Sequence, residues 1–427
     1  MKRDAEQARM GTDDHDHDDL IAWDDGAERV RRLREEWFPT LDTERVEIDH
    51  IAGRTLAEPI DSPVDVPAQS HATMDGFAFD ATDEYPLSVV DDDVFPEDEP
   101  GELGSGEAIR IATGAPVPAG ANAVLKREEA TVENGNLTGT ELDPGTYVYE
   151  RGSNVAAGER LFEAGERLGP KDAILLGDLG ITAVEVRTEL SAGLLATGTE
   201  IHEGRHRDLD SPMLAGLIRS WGHNATYEGS VPDTFERVTS RISELAHEHD
   251  VVVTTGGTSV GKKDYVIRAL DSLGEVLFHR VRLRPGKPIA VAKLPDHDAI
   301  AFAIPGKPVG AHAVTTLVAR PFFTGETSLP TVPARMARDV DIATPGFAYA
   351  IPVTLGDETG DNDAGGDHPT AMPLGHADSD LAVYESAFDP SVLSSSTRAT
   401  RADGFVLTGE GVERGQAVDV VPYSVVE

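Results

Sequence analysis

Five short segments of this 427-residue chain combine residue types and spacings that can do chemistry. The first is VVVTTGGTSVGKKDY, residues 251–265, in which an uncharged β-branched run leads into Gly256-Gly257-Thr258-Ser259-Val260-Gly261. A glycine-rich loop at the carboxyl end of a strand turns backbone N–H groups toward an anion, and Thr258 and Ser259 add hydroxyl donors. Asp264 stands at the lip, placed either to hold Mg²⁺ against a phosphate or to cap the following helix. In the second, HRVRLRPGKP at 279–288, Arg280, Arg282 and Arg284 alternate with Val281 and Leu283. A strand there would put the three guanidinium groups on one face, with Lys287 after the Pro285-Gly286 turn. Such cationic density in an acidic chain points to an anionic ligand, against the plainer reading of a salt-bridged strand face.

The remaining three are quieter. AIPGKPVGAH, residues 303–312, ends a strand at Pro305 and starts a helix after Pro308, with Gly306 and Lys307 between. That stiff loop would share a rim with Gly256, although alone it reads as an ordinary βα connection. Asp75 lies in the Asp-Gly turn of SHATMDGFAFD, residues 70–80, and Thr113 is the hydroxyl of the rigid loop IATGAPVPAGANAV, residues 111–124. Taken singly, both are ordinary turns. No Ser-His-Asp arrangement, zinc ligand set or GxxxxGK[ST] loop is recognisable.

The elements that must position these residues follow from periodicity. Strands are expected at 190–196, 251–255, 277–283, 289–294 and 300–304, and helices at 212–221, 233–249 (capped by Asp233), 264–272 and 308–323. Strands separated by helices give a mostly parallel open α/β sheet with helices on both faces. Upstream, Val30, Leu33 and Trp37 fall at helical spacing after Asp24-Asp25, predicting an amphipathic helix over 27–38. Residues 59–146 are rich in Pro and Gly with short apolar runs, a β-rich module, and 168–179 reads as a helix with Pro170 near its start. After 330 come short strands of a small β-barrel or sandwich, interrupted by a Gly/Asp-rich insertion at 356–375 that reads as a disordered loop. Residues 1–19 read as a disordered acidic tail.

Composition narrows the setting. The formal net charge is −39 with a pI of about 4.6, which disfavours nucleic acid and anionic membranes as partners. Eight lysines stand against twenty-nine arginines while acid is spread along the chain, a balance read as adaptation to high salt. Cysteine is absent, excluding disulfides, thiolate metal sites and cysteine nucleophiles. No apolar stretch approaches a membrane span and the N-terminus has no signal-like core, so a soluble cytoplasmic protein is expected.

MDGFA, ATGAPVP, RGSNVAAGE, ATGTEI, TTGGTSVGKKDY, LRPGKPIA and IPGKPV occur in an order and spacing that resemble the molybdopterin molybdenumtransferases, including the C-terminal domain of gephyrin. The likeness spans about residues 20–427. It implies an elongated homodimer of four domains: 20–58 with 147–185, an inserted β module at 59–146, a pterin-binding α/β domain at 186–328 and a C-terminal β-barrel at 329–427. The active site would lie between the α/β domain of one subunit and the inserted module of the other. The implied reaction inserts molybdate (or tungstate) into adenylylated molybdopterin with release of AMP. Matching positions imply Asp75, Thr113, Glu200, Asp233 and Asp264 as catalytic, with Asp264, Glu200 and Asp75 holding Mg²⁺. Gly256, Gly257, Thr258, Ser259, Gly261, Arg284, Gly286, Lys287, Pro305, Lys307 and Pro308 would bind the substrates. The molybdopterin adenylylating protein is an implied partner. The chain departs from the family pattern at Ser70–Thr73, Ser153-Asn154, Pro212 and Lys307. A glycine-rich loop followed by an acid also suits an adenylyltransferase, and the lost acids suit a non-catalytic pterin-binding paralogue. The MDG module and the C-terminal β domain favour insertion.

Overall fold

A computed structural model describes residues 20–257, 265–356 and 368–427. The expected tail at 1–19 therefore lies outside the described residues, as do Thr258, Ser259, Gly261 and Asp264. The chain folds as two compact units, one made of residues 43–186 and the other of the N-terminal residues to 42 with 187–427.

In the smaller unit the backbone runs out and returns along itself. Thr43–Glu47 pairs with Ala183–Arg187, Ile60–Asp61 with Arg160–Phe162, and His71–Ala72 with Val148–Tyr149. The chain between them forms a six-stranded sheet in the order Ala123–Lys126, Gly76–Phe79, Glu107–Ile111, Leu87–Val94, Asn136–Thr138, Thr131–Glu133. Its two faces are apolar, with Ala78, Ile109 and Val124 in one cluster and Phe77, Phe79 and Leu125 in another. The period-2 alternation along Gly76–Phe79 supplies both.

The larger unit is built on a six-stranded sheet of β1 (Ser191–Thr197), β2 (Asn224–Val231), β3 (Val251–Thr255), β4 (Glu275–His279), β5 (Ala290–Leu294) and β6 (Ala299–Ile304). The order is β2-β1-β3-β6-β5-β4, with β2, β1, β3 and β6 parallel and β5 antiparallel to both of its neighbours, β6 and β4. Helices α1 (Trp23–Trp37), α2 (Asp210–Ser220), α3 (Phe235–Glu248), α4 (Tyr265–Leu273) and α5 (Pro308–Val314) accompany it. Val238, Ile242 and Leu245 of α3 bury with Val266 and Leu270 of α4 on one face, and Leu214, Leu217 and Ile218 of α2 on the other. Both faces are covered, which is why β3 and β6 are apolar without alternation.

Beyond Pro330 the strands β7 (Val332–Met336), β8 (Ala348–Gly356), β9 (Thr370–Pro373), β10 (Gly404–Thr408) and β11 (Ala417–Pro422) pair in a ring, β8-β9-β7-β11-β10 and back to β8. Closure makes this the expected barrel rather than a sandwich, and it leaves no free edge within the ring.

Several expectations are corrected. Helix α1 begins at Trp23, so Asp24 and Asp25 sit inside its first turn, where the helix dipole favours them, instead of preceding it. Its stripe of Val30 and Leu33 buries with Val318 and Phe322 of the larger unit, not with residues 43–58. Periodicity predicts a stripe but not its partner. The expected strand over 277–283 stops at His279, because Arg280 takes a left-handed conformation (φ 77°). Arg280, Arg282 and Arg284 therefore do not share one strand face. The helix expected over 308–323 is interrupted by a π-helical stretch, Thr315–Ala319, just before Pro321, which has no N–H to continue the α ladder. The edge strand β2 was not anticipated, since it is polar and half exposed. Asp233 does not cap α3, which starts at Phe235 after Thr234. The insertion expected over 356–375 is partly ordered strand: Gly356 ends β8 and 370–373 form β9, and 357–367 lie outside the described residues.

Candidate functional site

Three parallel strands of the larger unit end on one rim. Beyond β1 come Gly198, Thr199 and Glu200, beyond β3 Gly256 and Gly257, and beyond β6 Pro305, Gly306 and Lys307. The rim is cross-tied: Gly256 N donates to Ile304 O (3.1 Å), and the buried Thr197 hydroxyl donates to Thr255 O (2.9 Å). Gly256 is left-handed (φ 80°), and a Cβ there would stand 2.8 Å from Thr197 O, so only glycine fits.

Beside this rim lies a cleft of about 500 Å³. It gathers Gly256, Gly257, Arg284, Gly286, Lys287, Pro305 and Lys307, separated by as many as 51 positions in sequence. Pro308 is absent from the lining and instead opens α5 behind it. Arg280 N donates to Ile289 O and Val281 N to Lys287 O, closing a loop whose tip carries Pro285, Gly286 and Lys287. Arg284 lies with its guanidinium 4.4 Å from the Phe347 ring and donates to the Thr344 hydroxyl (3.3 Å). The exposed Lys307 donates to Ser391 O (3.2 Å) across the cleft. The wall of Pro390, Ser391 and Ser394 was missed by sequence reading, because nothing in a polar Ser-rich stretch signals that it faces a loop 84 residues upstream.

The acids are distributed unequally. Glu200 is half-buried in the short helix Thr199–His202 on the rim, and Asp233 is tied to the same turn, with Thr199 Oγ1 accepting from Asp233 N (3.1 Å). Neither lines the cleft. Among the described residues, Glu200 and Asp75 belong to no trio of acid or histidine ligands close enough to share an ion. An acid that was not anticipated does approach the rim. Asp210, at the start of α2, is 6% exposed and reaches to within 3.9 Å of where a Gly306 side chain would begin. Burial first, and the neighbouring Asp208 charge second, push its carboxyl up to about 6.

In the smaller unit, Asp75 and Thr113 are brought together across 38 residues. Asp75 Oδ1 accepts from Thr113 N (2.7 Å) and from its hydroxyl (2.8 Å), and these two bonds hold the carboxyl below its ordinary value. Asp75 is therefore ionised at neutral pH, suited to act as a ligand, base or electrostatic group rather than a proton donor. The following Gly76 serves close packing rather than a turn, since a Cβ there would fall 1.9 Å from Leu125 O as the strand begins. A Thr113→Val protein keeps the N–H bond and loses the hydroxyl bond. Its Asp75 carboxyl is expected to titrate higher than in the wild type, read by carboxyl carbon NMR across pH 2 to 6, and an unchanged titration would refute the assigned role of the hydroxyl.

Comparison with known proteins carries the rest. Residues 25–180 match the MoeA N-terminal region (domain I and II), and residues 193–325 match the probable molybdopterin binding domain. The chain is 32% identical over 295 residues to the molybdopterin molybdenumtransferase of Haemophilus influenzae, covering 66% of this chain and 72% of that protein. The chain belongs to the molybdopterin molybdenumtransferase family. Gephyrin of Dictyostelium discoideum is 27% identical over 62% of this chain and 44% of its own length. The crystal structure of a molybdopterin biosynthesis protein from Pyrococcus horikoshii superposes with a TM-score of 0.67 at 28% identity, covering 95% of this chain and 99% of that one. Family membership agrees with the open α/β sheet, the inserted sheet and the closed barrel. Among the described residues no helix is long and apolar enough to cross a membrane.

Proposed function

We propose that the chain inserts molybdate or tungstate into adenylylated molybdopterin, releasing AMP, as the metal-insertion step of molybdenum-cofactor synthesis. The observation that carries this reading is the convergence of Arg284, Lys287 and Lys307 with the Gly256-Gly257 loop on one cleft, in a chain of net charge −39. Backbone N–H groups and fixed cations there suit a phosphoanhydride and a tetrahedral oxyanion. Fixed before the ligand arrives, they require little reorganisation as charge develops on the anhydride oxygens. Prolines 285, 288, 305 and 390 stiffen the walls around those charges.

Mg²⁺, when bound, neutralises anhydride charge and activates it for cleavage. Glu200 on the rim, Asp264 and Asp75 are the acids proposed to hold it, with Asp233 and Thr113 assisting, and Thr258, Ser259 and Gly261 completing the substrate site. We further propose a cytoplasmic homodimer adapted to high salt, supplied by a molybdopterin adenylylating protein. The support is the family resemblance and the lysine-poor acidity.

The decisive assay follows AMP release from adenylylated molybdopterin in molar KCl with Mg²⁺ and either oxyanion. Release that requires oxyanion and disappears in Asp264→Ala is expected. Tight pterin binding without release would leave only a binding paralogue. In the same assay, Lys307→Asn is expected to weaken oxyanion half-saturation several-fold at low salt and less in molar KCl, because an exposed charge is screened. Equal half-saturation at both salts would remove Lys307 from the site.

A further inference from the structure

Asp210 poses a physical problem that its sequence position hides. Its neighbour Asp208 already caps α2, accepting from Asp210 N (3.1 Å) and Ser211 N (3.0 Å). Asp210 is thus not needed as a cap. It is more than nine-tenths buried, and among the described residues its Oδ1 has no hydrogen-bond partner. The adjacent Ser211 is fully buried, and its hydroxyl is likewise without one. Among the described residues no basic side chain acts on the Asp210 carboxyl; burial and Asp208 do. Yet the group lies under Gly306, whose own Cβ position is 3.1 Å from Gly256 Cα, on the rim proposed to take an anhydride. A buried carboxylate so close to a phosphate site is repulsive unless something positive comes between them.

We propose that Asp210 is a ligand of a hard divalent cation that enters with the phosphoanhydride and bridges it to the rim. The inference rests on the substrate proposed above. The donor set favours Mg²⁺ or Mn²⁺ over softer ions: a carboxylate and a buried hydroxyl at the start of α2, with Asp208 adding negative field and no imidazole or thiolate beside them. One Asp210 oxygen has no partner among the described residues, and a metal ion is a stronger partner for it than any neutral donor.

The test uses the full-length protein, stripped with EDTA, and Mn²⁺ as the probe. Free Mn²⁺ is followed by electron paramagnetic resonance with and without inorganic pyrophosphate. In the wild type, pyrophosphate is expected to tighten Mn²⁺ binding. Asp210→Asn is expected to weaken it roughly tenfold or more and to abolish the pyrophosphate effect. Mn²⁺ affinity identical in wild type and Asp210→Asn overturns the assignment. If that variant does not fold, Asp208→Asn, which keeps the cap oxygen, replaces it: weaker Mn²⁺ binding supports the site and unchanged binding refutes it. The AMP-release assay fails or succeeds independently. Asp210-dependent Mn²⁺ binding without AMP release would keep the cation site and remove the transferase reading, whereas AMP release with Mn²⁺ binding indifferent to Asp210 would do the reverse.

Discussion

A Gly256→Val protein is expected to lose both stability and anion affinity. Valine at φ 80° is strained, and its Cβ would stand 2.8 Å from Thr197 O, a backbone atom that cannot swing aside. Strain of this kind costs about 2 kcal/mol, visible as a lower midpoint in urea unfolding. The turn must shift to relieve it, and the shift carries the N–H groups from Gly257 onward away from the bound anion. Losing one charge-assisted hydrogen bond there is worth about 2 kcal/mol, or roughly thirtyfold in pyrophosphate affinity by calorimetry. Gly306→Ala makes a useful contrast. It meets Gly256 Cα at 3.1 Å without a left-handed backbone, so a smaller loss is expected. Wild-type affinity in Gly256→Val would mean that the loop does not hold the anion.

Asp210→Asn is expected to change the pH dependence of stability in cation-free buffer. The Asp210 carboxyl is raised from 3.8 to about 6, so the folded protein binds this proton more tightly than the unfolded chain. Folding is therefore favoured by protonation, the benefit is complete below about pH 4, and it is lost as pH rises through 6. Above that, the buried charge costs about 3 kcal/mol, which asparagine avoids while keeping the shape. The variant is expected to be more stable than the wild type by up to this amount at pH 8 in EDTA, with the difference closing near pH 4. Molar KCl screens the Asp208 contribution but not the larger desolvation cost, so most of the effect should persist in salt. A difference that does not vary with pH would show that the carboxyl is solvated in solution. The effect opposes function, as expected for a charge kept for a ligand rather than for the fold.

Legibility in the sequence followed the range of the forces involved. Residues 251–255 form a strand with the expected bounds because an uncharged β-branched run has no other stable arrangement. The bend before α5 was likewise implied by Pro305, Gly306 and Pro308, residues within a few positions of one another. The run from 277 to 283 failed because alternation is necessary for a strand but not sufficient. Arg280 turns left-handed while Val281 and Leu283 are drawn into the core. Helix α1 was readable, but its destination was not. Its stripe fits any apolar groove, and the π-helical segment 315–319 that contributes to one is nearly 300 residues away.

Residue type and spacing thus determined which groups this protein can bring to chemistry: glycines able to present N–H groups, a few cations in an acidic chain, and carboxylates without cysteine. They also determined that an α/β sheet and a second set of short strands would form, since local period sets which face of each element is apolar, while closure of those strands into a barrel was decided by their pairing. Tertiary structure decided which of those groups act together. It gathered Gly256, Arg284, Lys287 and Lys307 around one cleft, closed that cleft with Ser391, and left Arg282 in solvent. It also buried Asp210, leaving its Oδ1 without a hydrogen-bond partner among the described residues. The reason is that convergence and burial depend on apolar area contributed by elements far apart in the chain, and a carboxyl's proton affinity depends on the water those elements remove.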